Sequence, residues 1–140
     1  MTHHGKYRGT VVSNIDPLML GRLQLSVPDV HGVIPSAWAL PCLPPGGLPA
    51  TPEVGDAVWV EFEQGDADRP VWCGVFWTDP SRVPEALRNP AAGNALSLRT
   101  PDGAGIAIGA AGIVIDNGKG ASITFSGPTV SINHGALDIS

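Results

Sequence analysis

At 140 residues the chain has room for one domain, or one plus an appendage, and its formal net charge of −5 lacks the basic footprint that a nucleic-acid surface needs. Gly 18 and Pro 14 against 15% charged residues point to an all-β chain rich in turns, because both residues interrupt helices. The opening MTHHGKYRGTVV carries no apolar core of a secretion signal, and no later run approaches the roughly twenty apolar residues of a membrane span. Synthesis in a cytoplasm is therefore expected. Cys42 and Cys73 stand far apart without a CxxC or His-rich context, which predicts two buried free thiols rather than a zinc site.

The first half reads as five strands: Lys6 to Val12, Gly21 to Val27, Ala37 to Leu43, Asp56 to Glu63 and Val71 to Trp77. Alternation is clearest in the fourth, where Val58, Val60 and Phe62 share one face and Trp59, Glu61 and Glu63 the other. NIDPLMLG, PPGGLPATPEVGD and EQGDADRP separate the strands with turn chemistry. Five strands in so short a span suit a small closed barrel, which leaves no exposed sheet edge.

The stretch TDPSRVPEALRNPAAGNA follows, a linker with room for a helical turn or two around Pro84 to Arg88, limited by Pro84 and Pro90. Six short apolar-x-apolar doublets then run to the end: Leu96/Leu98, Ile106/Ile108, Ile113/Ile115, Ile123/Phe125, Val130/Ile132 and Leu137/Ile139. The intervening Ser97, Ala107, Val114, Thr124, Ser131 and Asp138 are small or polar except Val114, the period-two mark of strands with one buried face. Strands this short, spaced too closely for a single-chain solenoid, cannot pair every backbone group and cover both faces alone. Three chains wound about a common axis meet both needs, each supplying one strand per layer, with the twelve doublet residues as the trimer core. The expected domains are a barrel over 1–80, a linker over 81–95 and a β-helix over 96–140.

Two stretches of the barrel half resemble a known family. YRGTVVSNIDPLMLGRLQLSVPDV is similar to the first hairpin, and PEVGDAVWVEFEQGDADRPVWCGVFW to the second hairpin, of the phage baseplate assembly protein V group, itself similar to the spike part of the VgrG proteins of type VI secretion. The resemblance implies an oligosaccharide/oligonucleotide-binding (OB) barrel followed by an intertwined triple-stranded β-helix, together a homotrimeric, membrane-piercing central spike. On the family pattern Asp16, Pro17, Gly21 and Arg22 fall at the first turn, while Gly55, Asp56, Gly65, Asp66, Arg69 and Pro70 bracket the second hairpin. All ten read as shaping the barrel, since Gly supplies positive φ, Pro presets φ and Asp accepts backbone N–H bonds. The linker is too short for the lysozyme domain of some relatives, and only a few residues precede the first strand, where VgrG carries its hub. The implied partners are thus a separate baseplate hub protein, a small conical tip protein over Ser140 and, transiently, a target membrane.

Three sharper readings stand beside this one. Glu61 and Glu63, two apart on one strand, have a spacing near that of glycosidase carboxylate pairs, but the plain reading is a solvated strand face. His134 would recur three times around a trimer axis, where imidazoles can ligate a metal, although a turn histidine is the simpler account. Trp38, Trp59, Trp72 and Trp77 could stack on bases or sugars, but the surrounding Glu53, Asp56, Glu61, Glu63, Asp66 and Asp68 would repel phosphates, which favours core or interface packing. His3 and His4 fall in an N-terminus expected to fray. The resulting expectation is a structural protein, not an enzyme, without cofactor, metal or nucleic acid, assembled in a bacterial cytoplasm and residing in a virion tail baseplate or phage-tail-like particle. The alternative is a monomeric OB-fold module that binds sugar or single-stranded nucleic acid.

Overall fold

The computed structural model describes every residue except 48–49, 90 and 92–93, so Pro90 of the linker lies outside the described residues. The chain divides into two compact units, Met1–Thr78 and Asp79–Ser140.

The first unit holds β1 (Tyr7–Ser13), β2 (Gln24–Ser26), α1 (Pro28–His31), β3 (Leu40–Pro41), β4 (Ala57–Phe62) and β5 (Pro70–Phe76). Its sheet runs in the order β2-β1-β4-β5-β3, antiparallel except for the parallel β3–β5 pair. A bridge between Leu23 and Ala39 joins the two ends, with Leu23 N–H donating to Ala39 O at 3.1 Å and Ala39 N–H to Leu23 O at 2.7 Å. The cycle β1-β2-β3-β5-β4-β1 is thus closed. Alternation decides what lies inside: Val11, Leu23, Leu25, Val27, Ala39, Val58, Val60, Phe62 and Trp72 form one buried cluster. Gly9 belongs to the same inward face, and there a Cβ would stand 2.7 Å from Val60 Cγ2, so only glycine lets β1 lie this close. The Trp72 indole remains satisfied within the core by donating to Gly21 O at 3.1 Å.

The second and third strands are shorter than the alternation predicts, because single bridges replace ladders around Leu23 and Ala39. The N-terminus is docked rather than frayed. His3 N–H donates to Gly65 O at 2.8 Å, and the His3 ring packs against Tyr7 and Phe62. The His31 ring meets the same Phe62 edge-on.

The second unit holds a 3-10 turn (Pro80–Arg82), α2 (Glu85–Arg88) and six strands: β6 (Asn94–Arg99), β7 (Gly105–Gly109), β8 (Gly112–Asp116), β9 (Ser122–Ser126), β10 (Thr129–Ile132) and β11 (Leu137–Ile139). Each strand pairs antiparallel with the next, in the order β11-β10-β9-β8-β7-β6. The backbone groups of the inner strands are therefore paired within the chain. This corrects the premise that backbone pairing itself needs several chains; side-chain cover is what the chain leaves undone.

The two margins of this sheet differ. Turns at one margin span Thr100–Ala104, Asn117–Ala121 and Asn133–Ala136, braced by Asn117 Oδ1, which accepts from Lys119 and Ala121 N–H, and by Asn133 Oδ1, which accepts from Ser122 N–H at 3.0 Å. At the other margin only Ala110–Ala111 and Gly127–Pro128 stand between paired residues. The short β7–β8 hairpin depends on Gly112: its φ is +130°, and a Cβ there would lie 1.8 Å from Phe125 O.

Candidate functional site

Register places the doublets with little freedom. Because side chains alternate along each strand, the paired residues build two continuous columns on one face of the second unit's sheet. One column is Leu96–Ile108–Ile113–Phe125–Val130–Ile139, and the other is Leu98–Ile106–Ile115–Ile123–Ile132–Leu137. Ser97, Ala107, Val114, Thr124, Ser131 and Asp138 stand in register on the opposite face.

This apolar face has no cover in a single chain. Leu96, Leu98, Ile106, Ile108, Ile115, Ile123, Phe125, Leu137 and Ile139 are 37–55% exposed, and Ile113, Val130 and Ile132 are half-buried. Among the described residues Ala107, on the opposite face, is the unit's one buried hydrophobic side chain. Twelve contiguous apolar side chains exceed the scattered exposure ordinary for a monomer and mark an association surface.

The opposite face carries its own polar device. Arg99 donates to Asp116 at 3.1 Å and to Gly103 O at 2.8 Å, reaching across Gly105, where a Cβ would come within 2.8 Å of Arg99 Cγ. The Gly118 N–H and then the Arg99 guanidinium hold the Asp116 carboxyl below its ordinary value. On this side Arg99 and Asp116 are paired across the sheet, while the buried Ser122 hydroxyl has no hydrogen-bond partner.

Nine of the barrel-turn residues lie in loops and turns, and Pro70 begins β5. Asp16 is the most heavily used: its carboxylate accepts from the N–H groups of Leu18, Leu20 and Arg22 and from Arg22 Nε and Nη2, the last at 2.8 Å. The Arg22 guanidinium, foremost, and these N–H groups hold the Asp16 carboxyl well below the usual carboxylate range against the opposing effect of burial. Arg22 also lies over the Trp38 ring. Pro17 and Gly21, with φ of +72°, complete this loop. In the β4–β5 region Asp56 Oδ2 accepts from Glu53 N–H beside Gly55, Gly65 takes positive φ under His3, Asp66 Oδ1 accepts from Asp68 N–H, Arg69 pairs with Glu63, and Pro70 opens β5.

The catalytic reading of Glu61 and Glu63 loses its geometry. Strand β4 ends at Phe62, and Glu63 already belongs to a 3-10 turn; Glu61 is paired with Lys6 at 2.6 Å and Glu63 with Arg69. His134 sits in the β10–β11 turn with φ of +56°, exposed. Among the described residues no three His, Cys, Asp or Glu side chains converge as a metal site would require. Trp72 is core, Trp59 stacks on Phe76 at 4.5 Å with Arg8 above both rings, and Trp77 is 40% exposed. Cys42 is exposed rather than buried, while burial pushes the half-buried Cys73 thiol up.

Comparison with known families agrees with this division into a closed barrel and an uncovered sheet. Residues 7–77 match the type VI secretion system/phage-baseplate injector OB domain, and residues 86–138 match the phage baseplate V C-terminal trimerisation domain. The chain belongs to the phage baseplate V injector family. No curated protein sequence matches it significantly. As in its family, the barrel half is an OB domain, and the half that carries the two apolar columns is a trimerisation domain. The protein is accordingly of the phage and type VI spike type.

The margins are what sequence reasoning missed in this half. Their signal was present in the doublet starts at 96, 106, 113, 123, 130 and 137, where ten-residue steps mark the two longest turns.

Proposed function

We propose that the protein is the central spike of a contractile injection machine, a homotrimer at the baseplate centre that docks on a separate hub protein and transmits the force of contraction through a target cell envelope. The reading rests chiefly on the two apolar columns, which span all six strands of a domain of the trimerisation class and are uncovered in one chain. With the strand-stacking direction along a three-fold axis and the apolar faces inward, both columns are buried along their length. Each strand then forms one side of a layer, and six strands give a shaft about 25 Å long at the usual strand spacing.

Mechanical stiffness is the mechanism. Opening one layer would break ladder bonds in three chains and expose three apolar faces together, so local yielding is costly. No step in this function calls for catalysis. A tip protein over the C-terminal end, a place in a virion tail or phage-tail-like particle, and assembly in a bacterial cytoplasm belong to the same proposal.

Analytical ultracentrifugation of the full chain tests it. A species three times the 14.5 kDa chain mass that persists on dilution is expected. A monomer would overturn the spike and favour the single-chain OB binding module.

A further inference from the structure

The unequal margins determine how neighbouring copies can meet, given the trimer proposed above. A three-fold rotation about the stacking direction carries one sheet's left margin against the next sheet's right margin, a heterologous contact that closes after three copies. Long turns therefore always face short turns.

The long-turn margin bears a groove on the apolar face. It is lined by Ile115, Ile123 and Ile132 with Ala104 and Ala121, and by the polar Asp116, Asn117, Ser122 and Asn133. The short-turn margin lies beside the other column, whose bulkiest member is Phe125, the only Phe, Tyr or Trp of the second unit and 39% exposed. Phe125 stands on β9, flanked by Ile113 of β8 and Val130 of β10. The three isoleucines of the groove come from the same three strands. Knob and groove thus lie at matching heights on opposite margins.

We infer that Phe125 of each copy seats in the Ile115–Ile123–Ile132 groove of the next, so that three identical aromatic contacts ring the shaft and set the register between chains. A ring burying most of its surface in an aliphatic pocket is the usual form of an interface anchor. The uniform columns alone would tolerate a slip by one layer; a single large knob with a single groove does not.

Engineered disulfides test this in the full chain carrying Cys42→Ser and Cys73→Ala. Phe125→Cys is combined with Ala121→Cys in one variant and with Ala104→Cys in another. Within one chain residues 121 and 125 lie about 13 Å apart along an extended strand, beyond the roughly 7 Å limit of a disulfide, so a link can form only between copies. The expected result is covalent trimer on a denaturing gel from at least one pair, and none from the three single variants. A chain that sediments as a trimer but stays unlinked in both pairs overturns the inference, as does linkage by Phe125→Cys alone, which would put Phe125 against its own copies. A chain already monomeric before the substitutions removes the trimer reading itself. Independently, Ala121→Trp, with Phe125 intact, should crowd the groove and increase dissociation about tenfold; unchanged trimer stability would count against the proposed seating.

Discussion

The two units use similar short strands to opposite ends. In the first, the Leu23–Ala39 bridge closes five strands on themselves, and nine side chains bury one another completely or nearly so. In the second, six strands form an open meander whose twelve best apolar side chains look outward. The difference does not lie in hydrophobic content or backbone pairing, which both have. It lies in whether the sheet curls until its apolar face meets itself. A sheet that cannot do so from one chain carries its assembly instruction on its surface, and the trimerisation domain is that instruction.

Ile123→Asp should produce the largest effect, because it sets three carboxylates against one another inside the proposed core, where each unpaired charge costs several kcal/mol. Loss of the trimer by sedimentation is expected, while Thr124→Asp on the opposite face should keep it. Equal tolerance of both would remove the distinction between the faces. Next in size is the separation of the halves. Residues 1–78 alone should give a folded barrel with a cooperative melt, since their core is complete. Residues 94–140 alone should be soluble only as a trimer and otherwise aggregate through the bare columns. A soluble, β-structured monomer of the second fragment would reverse the comparison.

A core truncation in the barrel should be smaller and confined to it. Leu25 is fully buried, so Leu25→Ala should cost about 2–5 kcal/mol of barrel stability. All four tryptophans, Trp38, Trp59, Trp72 and Trp77, lie in the first unit, so their fluorescence reports its unfolding separately from that of the second unit. An earlier fluorescence transition with the trimer mass unchanged is expected. Coupled loss of the trimer would show that the units are not energetically separate.

How much of this the sequence disclosed depended on how local each cause was. The doublets were legible because alternation follows from the strand period, which any three-residue stretch carries, whereas the pairing that aligns them in two columns is set by turn length and was not legible in that way. The short helix Pro28–His31 was not read, since four residues have no periodicity, although Pro at its start and Gly32 with φ of +60° just beyond its end are terminal signals. The docked N-terminus was illegible in principle, because His3 is held by Gly65 and Phe62 some sixty residues away. The Glu61 and Glu63 pair failed for a related reason: alternation located the strand but not its end, where Gln64 turns with φ of +53°. The local bonds of the first turn could be read from the sequence because Asp16 acts within a few positions of itself, on Leu18, Leu20 and Arg22, whereas the distant partners of Gly21 and Gly65, Trp72 and His3, could not.

Asp16 gives the finest test of the comparison, since its effect should be confined to one loop of one unit and to one pH range. Its side chain is 4% exposed, and its carboxylate supports three backbone N–H groups and the Arg22 guanidinium. The folded carboxyl lies well below its ordinary value, so the unfolded chain takes up a proton first as pH falls. The stabilisation is therefore fully present above the unfolded value of about 4 and drains away as pH drops through the folded one. Asp16→Asn keeps the shape but removes the charge, leaving a single carbonyl oxygen where two carboxylate oxygens accepted. By tryptophan fluorescence it should lower the barrel's melting temperature by several degrees between pH 5 and 8. The difference from the unsubstituted protein should stay constant over that range and narrow below pH 4, where the native carboxylate begins to lose its advantage. The trimer mass should not change at any of these pH values. A difference that persists undiminished to the lowest accessible pH would show that Asp16 acts by shape alone, with no contribution from its charge.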